Sequence, residues 1–247
     1  MSQGYKVEFK EVTVGYKGHP VVENITFTTP GPGLTTILGP NGVGKSTLLK
    51  ALIGSLRPWS GTITINGINL GMEKDRSLYL SYAPPEPPNM FNMRVVEVVM
   101  SAKKGKKWVS EQDAIESLRF VGAAELAMKY FEQLSTGQKR LVLLARALAV
   151  HSPIIVMDEP TANLDLGNQV RIRSIIRKVA GFSTVIVASH DVELAMDSDL
   201  VVAVKNGRVL MRGPPSELAP KVIAELYDID ESELRFMAAI FMKYNQK

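Results

Sequence analysis

Apolar positions along this chain fall into two patterns. Residues 34–38, 154–157 and 184–188 are short, nearly unbroken apolar runs rich in β-branched side chains, the signature of strands buried on both faces. Residues 7–14 alternate weakly, residues 21–27 follow as a second strand, and residues 78–83 read as a further one. Residues 62–65, Thr-Ile-Thr-Ile, end in Asn66-Gly67, and residues 200–204 and 208–211 flank Asn206-Gly207; both dipeptides suit tight hairpins. Helical spacing is found over residues 48–53, 95–101, 139–150 and 170–180. Another helix is opened by Ser110 with Asp113, runs through Arg119 and is closed by Gly122. Pro30-Gly31-Pro32-Gly33 and Pro58-Trp59-Ser60-Gly61 punctuate the series.

Strands that alternate with helices predict an α/β fold with a mainly parallel sheet covered on both faces. The two hairpins predict antiparallel β additions to it. Pro84, Pro85, Pro87 and Pro88 cannot lie in a helix interior or a central strand. They open a stretch, residues 84–134, that reads as a mostly helical insertion within one domain spanning residues 1–247. Lys103, Lys104, Lys106 and Lys107, split by Gly105, read first as a solvated loop and second as a patch facing a membrane or partner.

Composition narrows the class. The 247 residues are 45% hydrophobic and 22% charged, ordinary for a globular protein, and cysteine is absent, which excludes disulfide and thiolate chemistry. A net charge of +4 is no nucleic-acid signature, so no nucleic-acid partner is expected. Residues 1–10 are polar, without the apolar segment of a secretory signal, and the longest apolar stretch, residues 141–150, is broken by Arg146. A cytoplasmic protein is expected.

The chemistry begins at Gly39-Pro40-Asn41-Gly42-Val43-Gly44-Lys45-Ser46-Thr47, between an apolar strand and a helix. In that setting G-x-x-x-x-G-K-[ST] reads as a phosphate-binding P-loop, whose backbone N–H groups and helix N-terminus favour an anion. Lys45 is placed to reach the β- and γ-phosphates and Ser46 to ligate Mg²⁺. A second small, polar approach to a helix, Leu134-Ser135-Thr136-Gly137-Gln138, is a weaker candidate anion site or simply a cap by Ser135. Asp158 ends a buried strand, where a carboxylate can hold Mg²⁺, and Glu159 beside it can polarise a water. His190 ends the next buried strand, where it can meet a γ-phosphate oxygen or orient that water.

Together these residues resemble the nucleotide-binding subunit of the ATP-binding cassette (ABC) family over nearly the whole chain. Gly39 to Thr47 is similar to its Walker A motif, Leu134 to Gln138 to its signature motif with Thr136 where glycine is usual, and Ile154 to Pro160 to Walker B with its catalytic glutamate. Asn163-Leu164-Asp165 is similar to the D-loop and His190 to the switch histidine, and Tyr16 lies where the family stacks an aromatic on adenine. The resemblance implies ATP and Mg²⁺ as cofactors and a head-to-tail homo- or heterodimer. In it, Ser135, Gly137 and Gln138 of one subunit would face the ATP held by the other, and the helical insertion would drive transmembrane permease subunits from the cytoplasmic face.

Gly213-Pro214-Pro215-Ser216-Glu217-Leu218 and the later Leu226-Tyr227-Asp228-Ile229-Asp230 resemble the tails of importers for iron chelates, haem and cobalamin. An exporter ATPase shares every nucleotide motif. A soluble cassette protein acting on ribosomes or DNA would carry two cassettes or a long coiled-coil insertion, and a simple P-loop kinase would lack the Leu134 to Gln138, Glu159 and His190 set. One departure stands out: Pro85 falls where the family carries a Mg²⁺-ligating glutamine, so an extra water is expected to complete the metal shell, with Glu86 as the alternative ligand.

Overall fold

The continuous apolar runs form the centre of the molecule. A computed structural model of the chain describes residues 5–73, 75–86 and 90–233. The apolar positions Phe236, Met237, Ile240, Phe241 and Met242, and the last two prolines of the 84–88 run, lie outside the described residues.

In chain order the structure has β1 (Val7–Tyr16), β2 (His19–Thr28), β3 (Gly33–Leu38), α1 (Lys45–Ile53), β4 (Ser60–Ile65), β5 (Ile68–Asn69) and β6 (Leu80–Ala83). Then come α2 (Val95–Met100), β7 (Lys103–Lys104), β8 (Lys107–Trp108), α3 (Glu111–Phe120) and α4 (Thr136–Leu148). The chain closes through β9 (Ile154–Asp158), α5 (Leu166–Ala180), β10 (Thr184–Ser189), α6 (Val192–Met196), β11 (Leu200–Lys205), β12 (Arg208–Gly213) and α7 (Pro220–Tyr227).

The central sheet has the order β12-β11-β3-β10-β9-β6, parallel except for the antiparallel edge strand β12. A second, antiparallel sheet has the order β2-β1-β4-β5. Alternation along the buried strands divides the core. Ile155, Met157, Val185 and Val187 join the side chains of α2 to α5, whereas Ile154, Val156, Ile186 and Ala188 join α1 and the antiparallel sheet. Both faces of the central sheet are therefore covered, which explains why its strands are apolar throughout rather than alternating. In the stretch after β6, α2 and α3 pack on α4, so their core is continuous with one face of that sheet.

Three local expectations change. The lysine stretch is not an irregular loop but the hairpin β7–β8, with Lys103 opposite Trp108. Its turn passes through Gly105 at φ 59°, the Lys103 ammonium lies 3.6 Å from the Trp108 ring centre, and the Gly105 N–H donates to Ser77 Oγ at 2.8 Å. The strand expected from residue 78 starts at Leu80. Arg76–Leu78 instead form a 3-10 turn, whose Ser77 N–H donates to Asp75 Oδ1 at 3.1 Å while Arg76 donates to the carbonyls of Ala51 and Leu52 at the end of α1. Helix α5 begins earlier than its apolar periodicity, at Leu166, because the Asp165 carboxylate accepts from the Asn168 N–H at 2.9 Å and caps it.

The antiparallel sheet's contribution to the core can be weighed at one contact. Phe9 is fully buried and stacks on Phe27 with ring centres 4.5 Å apart. Phe9→Ala is expected to lower the free energy of urea unfolding by about 3–5 kcal/mol; a loss under about 1 kcal/mol would mean that the site collapses around the vacancy.

Candidate nucleotide-binding site

Strand register gathers the candidate residues. Leu38 at the end of β3 is paired with Ser189 of β10, and Asp158 at the end of β9 with Ala188 of β10. Lys45, Ser46, Asp158, Glu159 and His190, read from separate segments, thus emerge at the carboxyl edge of one parallel sheet, where α/β folds place their ligands.

The P-loop is shaped by what it wraps. Gly44, the N-cap of α1, has φ 107°, and a Cβ there would collide with Val22 and Val21. Only glycine meets both demands. Lys45 begins the helix and is almost completely buried. Its ammonium donates to the carbonyls of Gly39 at 2.8 Å and Pro40 at 3.0 Å, and pairs with Glu159 Oε1 at 3.1 Å. A shallow recess lined by Pro40, Asn41, Gly42 and Val43 lies over the loop, with Val21, Asn206 and Gly207 on its other wall. A cavity of about 830 Å³, lined by Arg57, Trp59 and Arg76, is at the opposite end of α1.

Glu159 joins the P-loop to the strand ends. Its backbone is left-handed at φ 48°, a conformation that costs a non-glycine residue about 1–3 kcal/mol, and its N–H donates to the Ala188 carbonyl at 2.8 Å. In that pose Oε1 faces Lys45 while Oε2 accepts from His190 Nδ1 at 2.8 Å. Asp158 is 1% exposed; Oδ1 accepts from the Ser46 hydroxyl at 3.0 Å and Oδ2 from the Tyr82 phenol at 3.3 Å. Burial pushes the Asp158 carboxyl above its ordinary value, the Glu159 charge adds to this, and the bonds from Ser46 and Tyr82 oppose it. A buried carboxylate and a hydroxyl in contact form the hard-oxygen pair that suits Mg²⁺, which binds one or two carboxylates together with substrate phosphates. Ser46 and Asp158 therefore fit the ion.

Comparison with known proteins gives the family. The family model described as "ABC transporter" matches residues 22–162, more than half of the chain. The chain belongs to the ABC transporter family. It is 30% identical over 234 residues to the petrobactin import ATP-binding protein YclP of Bacillus subtilis, covering 90% of this chain and 93% of that one. It is 29% identical over 235 residues to the achromobactin transport ATP-binding protein CbrD of Dickeya dadantii, covering 90% and 87%. Among solved structures, a bacterial Atm1-family ABC exporter with ATP bound superposes with a TM-score of 0.80 at 25% identity, over 91% of this chain and 42% of that one. An inward-facing ABC transporter of metal-chelate type superposes with a TM-score of 0.76 at 24% identity, over 92% and 89%, and bears on the fold. The protein is the ATP-binding, ATP-hydrolysing subunit of a transporter, working with transmembrane permease subunits.

Other candidate residues of this ABC ATPase have partners outside the P-loop. The Ser135 hydroxyl accepts from the Gln138 N–H at 3.3 Å and Gln138 Oε1 accepts from the Ser135 N–H at 3.1 Å, a capping box that starts α4. Among the described residues no hydrogen bond joins this helix start to the P-loop. Gly137 is buried against α5, where an added Cβ would lie 2.7 Å from the Asn168 amide. Tyr16 is exposed at the end of β1, with the Lys50 ammonium 6.0 Å from its ring centre. Pro84, beside the unusual Pro85, gives its carbonyl to the Arg140 guanidinium at 3.2 Å; burial holds Arg140 below its ordinary value while Glu86, Asp158 and Glu159 support its charge.

Sequence reasoning missed Tyr82, Arg140 and Tyr227. The phase of β6 held a signal for Tyr82, since it pairs with Val156 and so shares the face of Asp158 two residues further on. A carboxylate buried this deeply is costly to the fold. Asp158→Asn is expected to raise the urea midpoint of the protein at pH 7 without nucleotide or Mg²⁺ and to abolish Mg²⁺-dependent hydrolysis. A lowered midpoint would show that the bonds from Ser46 and Tyr82 outweigh desolvation.

Proposed function

We propose that this subunit dimerises head-to-tail around Mg²⁺-ATP and uses hydrolysis to drive uptake of a metal chelate. The observation that carries the catalytic part is the Lys45–Glu159–His190 chain, which ties the P-loop to the two strand ends. Phosphate oxygens compete with Glu159 for the Lys45 ammonium. As Lys45 turns to the phosphates, Glu159 Oε1 is released to accept a proton from the attacking water, while His190 holds the other carboxylate oxygen and so its direction. Ser46 and Asp158 would hold Mg²⁺, which neutralises charge on the phosphate oxygens.

Gly39 to Thr47 form the phosphate cradle and Tyr16 a stacking surface for adenine. Ser135, Gly137 and Gln138 serve the partner's nucleotide. The support is the exposed, capped N-terminus of α4, a helix end that favours an anion and lies apart from this chain's own P-loop. Residues 84–134 act as the arm toward the permease, and the complex sits on the cytoplasmic face of the membrane. YclP and CbrD support a chelated metal as the cargo, since petrobactin import and achromobactin transport are the activities in their names.

Two variants test the reading. Glu159→Gln should bind ATP and lose hydrolysis by at least about 100-fold, so that a dimer persists in ATP by light scattering; hydrolysis at the wild-type rate would remove Glu159 from the mechanism. Ser135→Arg should abolish that ATP-dependent dimer while the monomer stays folded by circular dichroism. A dimer that survives the substitution would rule out the head-to-tail arrangement.

A further inference from the structure

The switch-like loop at His190 is held at one point by a residue outside every nucleotide motif. We propose that Tyr227, at the end of the C-terminal helix α7, is a positioning residue for ATP turnover: its phenol fixes the main chain at His190 and, through it, the imidazole against Glu159. This rests on the role proposed above for His190.

The geometry is direct. The Tyr227 hydroxyl donates to the His190 carbonyl at 2.9 Å, while the imidazole of the same residue donates to Glu159 at 2.8 Å. The His190 side chain is 45% exposed, so packing alone does not hold its ring, and the backbone has to carry the alignment. The next residue is anchored separately: Asp191 caps α6 through the Leu194 N–H at 3.1 Å and accepts from the Thr161 hydroxyl at 3.2 Å, with Arg173 at 3.6 Å. Asp191 thus fixes the far side of the loop; the His190–Asp191 peptide is held through its N–H by the Ser189 hydroxyl at 3.0 Å, and through its carbonyl by Tyr227, which reaches it from outside the loop.

Tyr227 is a firm anchor in turn. Leu226 beside it is fully buried among Ala195, Val201 and Leu218, and the Tyr227 ring packs on the same cluster. The end of α7 is closed by Lys205, whose ammonium donates to the Glu225 carbonyl and to Asp228 Oδ1, the latter at 2.6 Å. Asp228 adopts φ 55° to end the helix there. A cation bonded to the last carbonyls both satisfies them and opposes the helix dipole. Burial, and secondarily the charges of Glu159 and Asp191, push the phenol well above its ordinary value, so it remains a protonated donor at neutral pH. The phenol's hydrogen bond is to the main chain of His190 and not to the imidazole, which makes its action one of alignment. The end of α7 is thereby tied to the edge of the sheet that carries His190.

A double-mutant cycle on the full chain tests this, with steady-state ATPase kinetics and thermal unfolding as readouts. Tyr227→Phe keeps the ring and its packing and removes only the donor. It should lower kcat about three- to tenfold, the weight of one hydrogen bond, with KM for ATP and Tm essentially unchanged. In the His190→Ala background the same substitution should have no further effect. Lys205→Met, which loosens the end of α7 but keeps the phenol, should lower kcat in the same direction and likewise lose its effect without His190. If Tyr227→Phe matches the wild type, or costs the same factor with and without the imidazole, the inference is overturned. If His190→Ala itself turns over ATP at the wild-type rate, it is the role of His190 that fails.

Discussion

A buried ammonium that must be balanced governs this molecule. Lys45 begins a helix whose N-terminus is already positive, so its charge cannot stand unanswered inside the fold. The Gly39 and Pro40 carbonyls bend back to meet two of its donors, and Glu159, at the end of β9 beyond the intervening β10, meets the third. Glu159 does so from a left-handed backbone, with its second oxygen on His190. The loop, the strand ends and the histidine are consequences of one charge seeking partners. A ligand rich in phosphate oxygen is the natural competitor for it.

Much of this was legible in the chain because the parallel strands are buried on both faces. A run such as Ile154 to Met157 has no polar residue until it reaches the sheet edge, so the first acids after it, Asp158 and Glu159, mark the site. The same logic located His190 after the run that ends in Ser189. The hairpins at Asn66 and Asn206 were legible from turn chemistry, both asparagines sitting at positive φ.

What stayed hidden was tertiary. Tyr227 lies 37 positions from the carbonyl it holds, and Tyr82 lies 76 from Asp158; neither distance leaves a trace in local periodicity. The lysine hairpin escaped because lysine disfavours strands, while the contact that secures it, an ammonium over Trp108, acts across the strands. Pro85 drew attention as a missing metal ligand. The neighbouring contact it left unforeseen is the one between the Pro84 carbonyl and Arg140, a residue of the very helix that begins at the Ser135 cap.

The apolar layer shared by α2, α3, α4 and one face of the central sheet has a mechanical meaning. Side chains from Val95 and Leu118 through Leu141 to Met157 form one continuous apolar body. Such interiors resist compression much as organic crystals do, so they move as blocks or shear at their boundaries and do not absorb strain gradually. Met157 immediately precedes Asp158. A push applied to the outer surface of α2 or α3 would therefore reach the layer that ends one peptide bond from the carboxylate that bonds Ser46, as through a crank rather than a cushion.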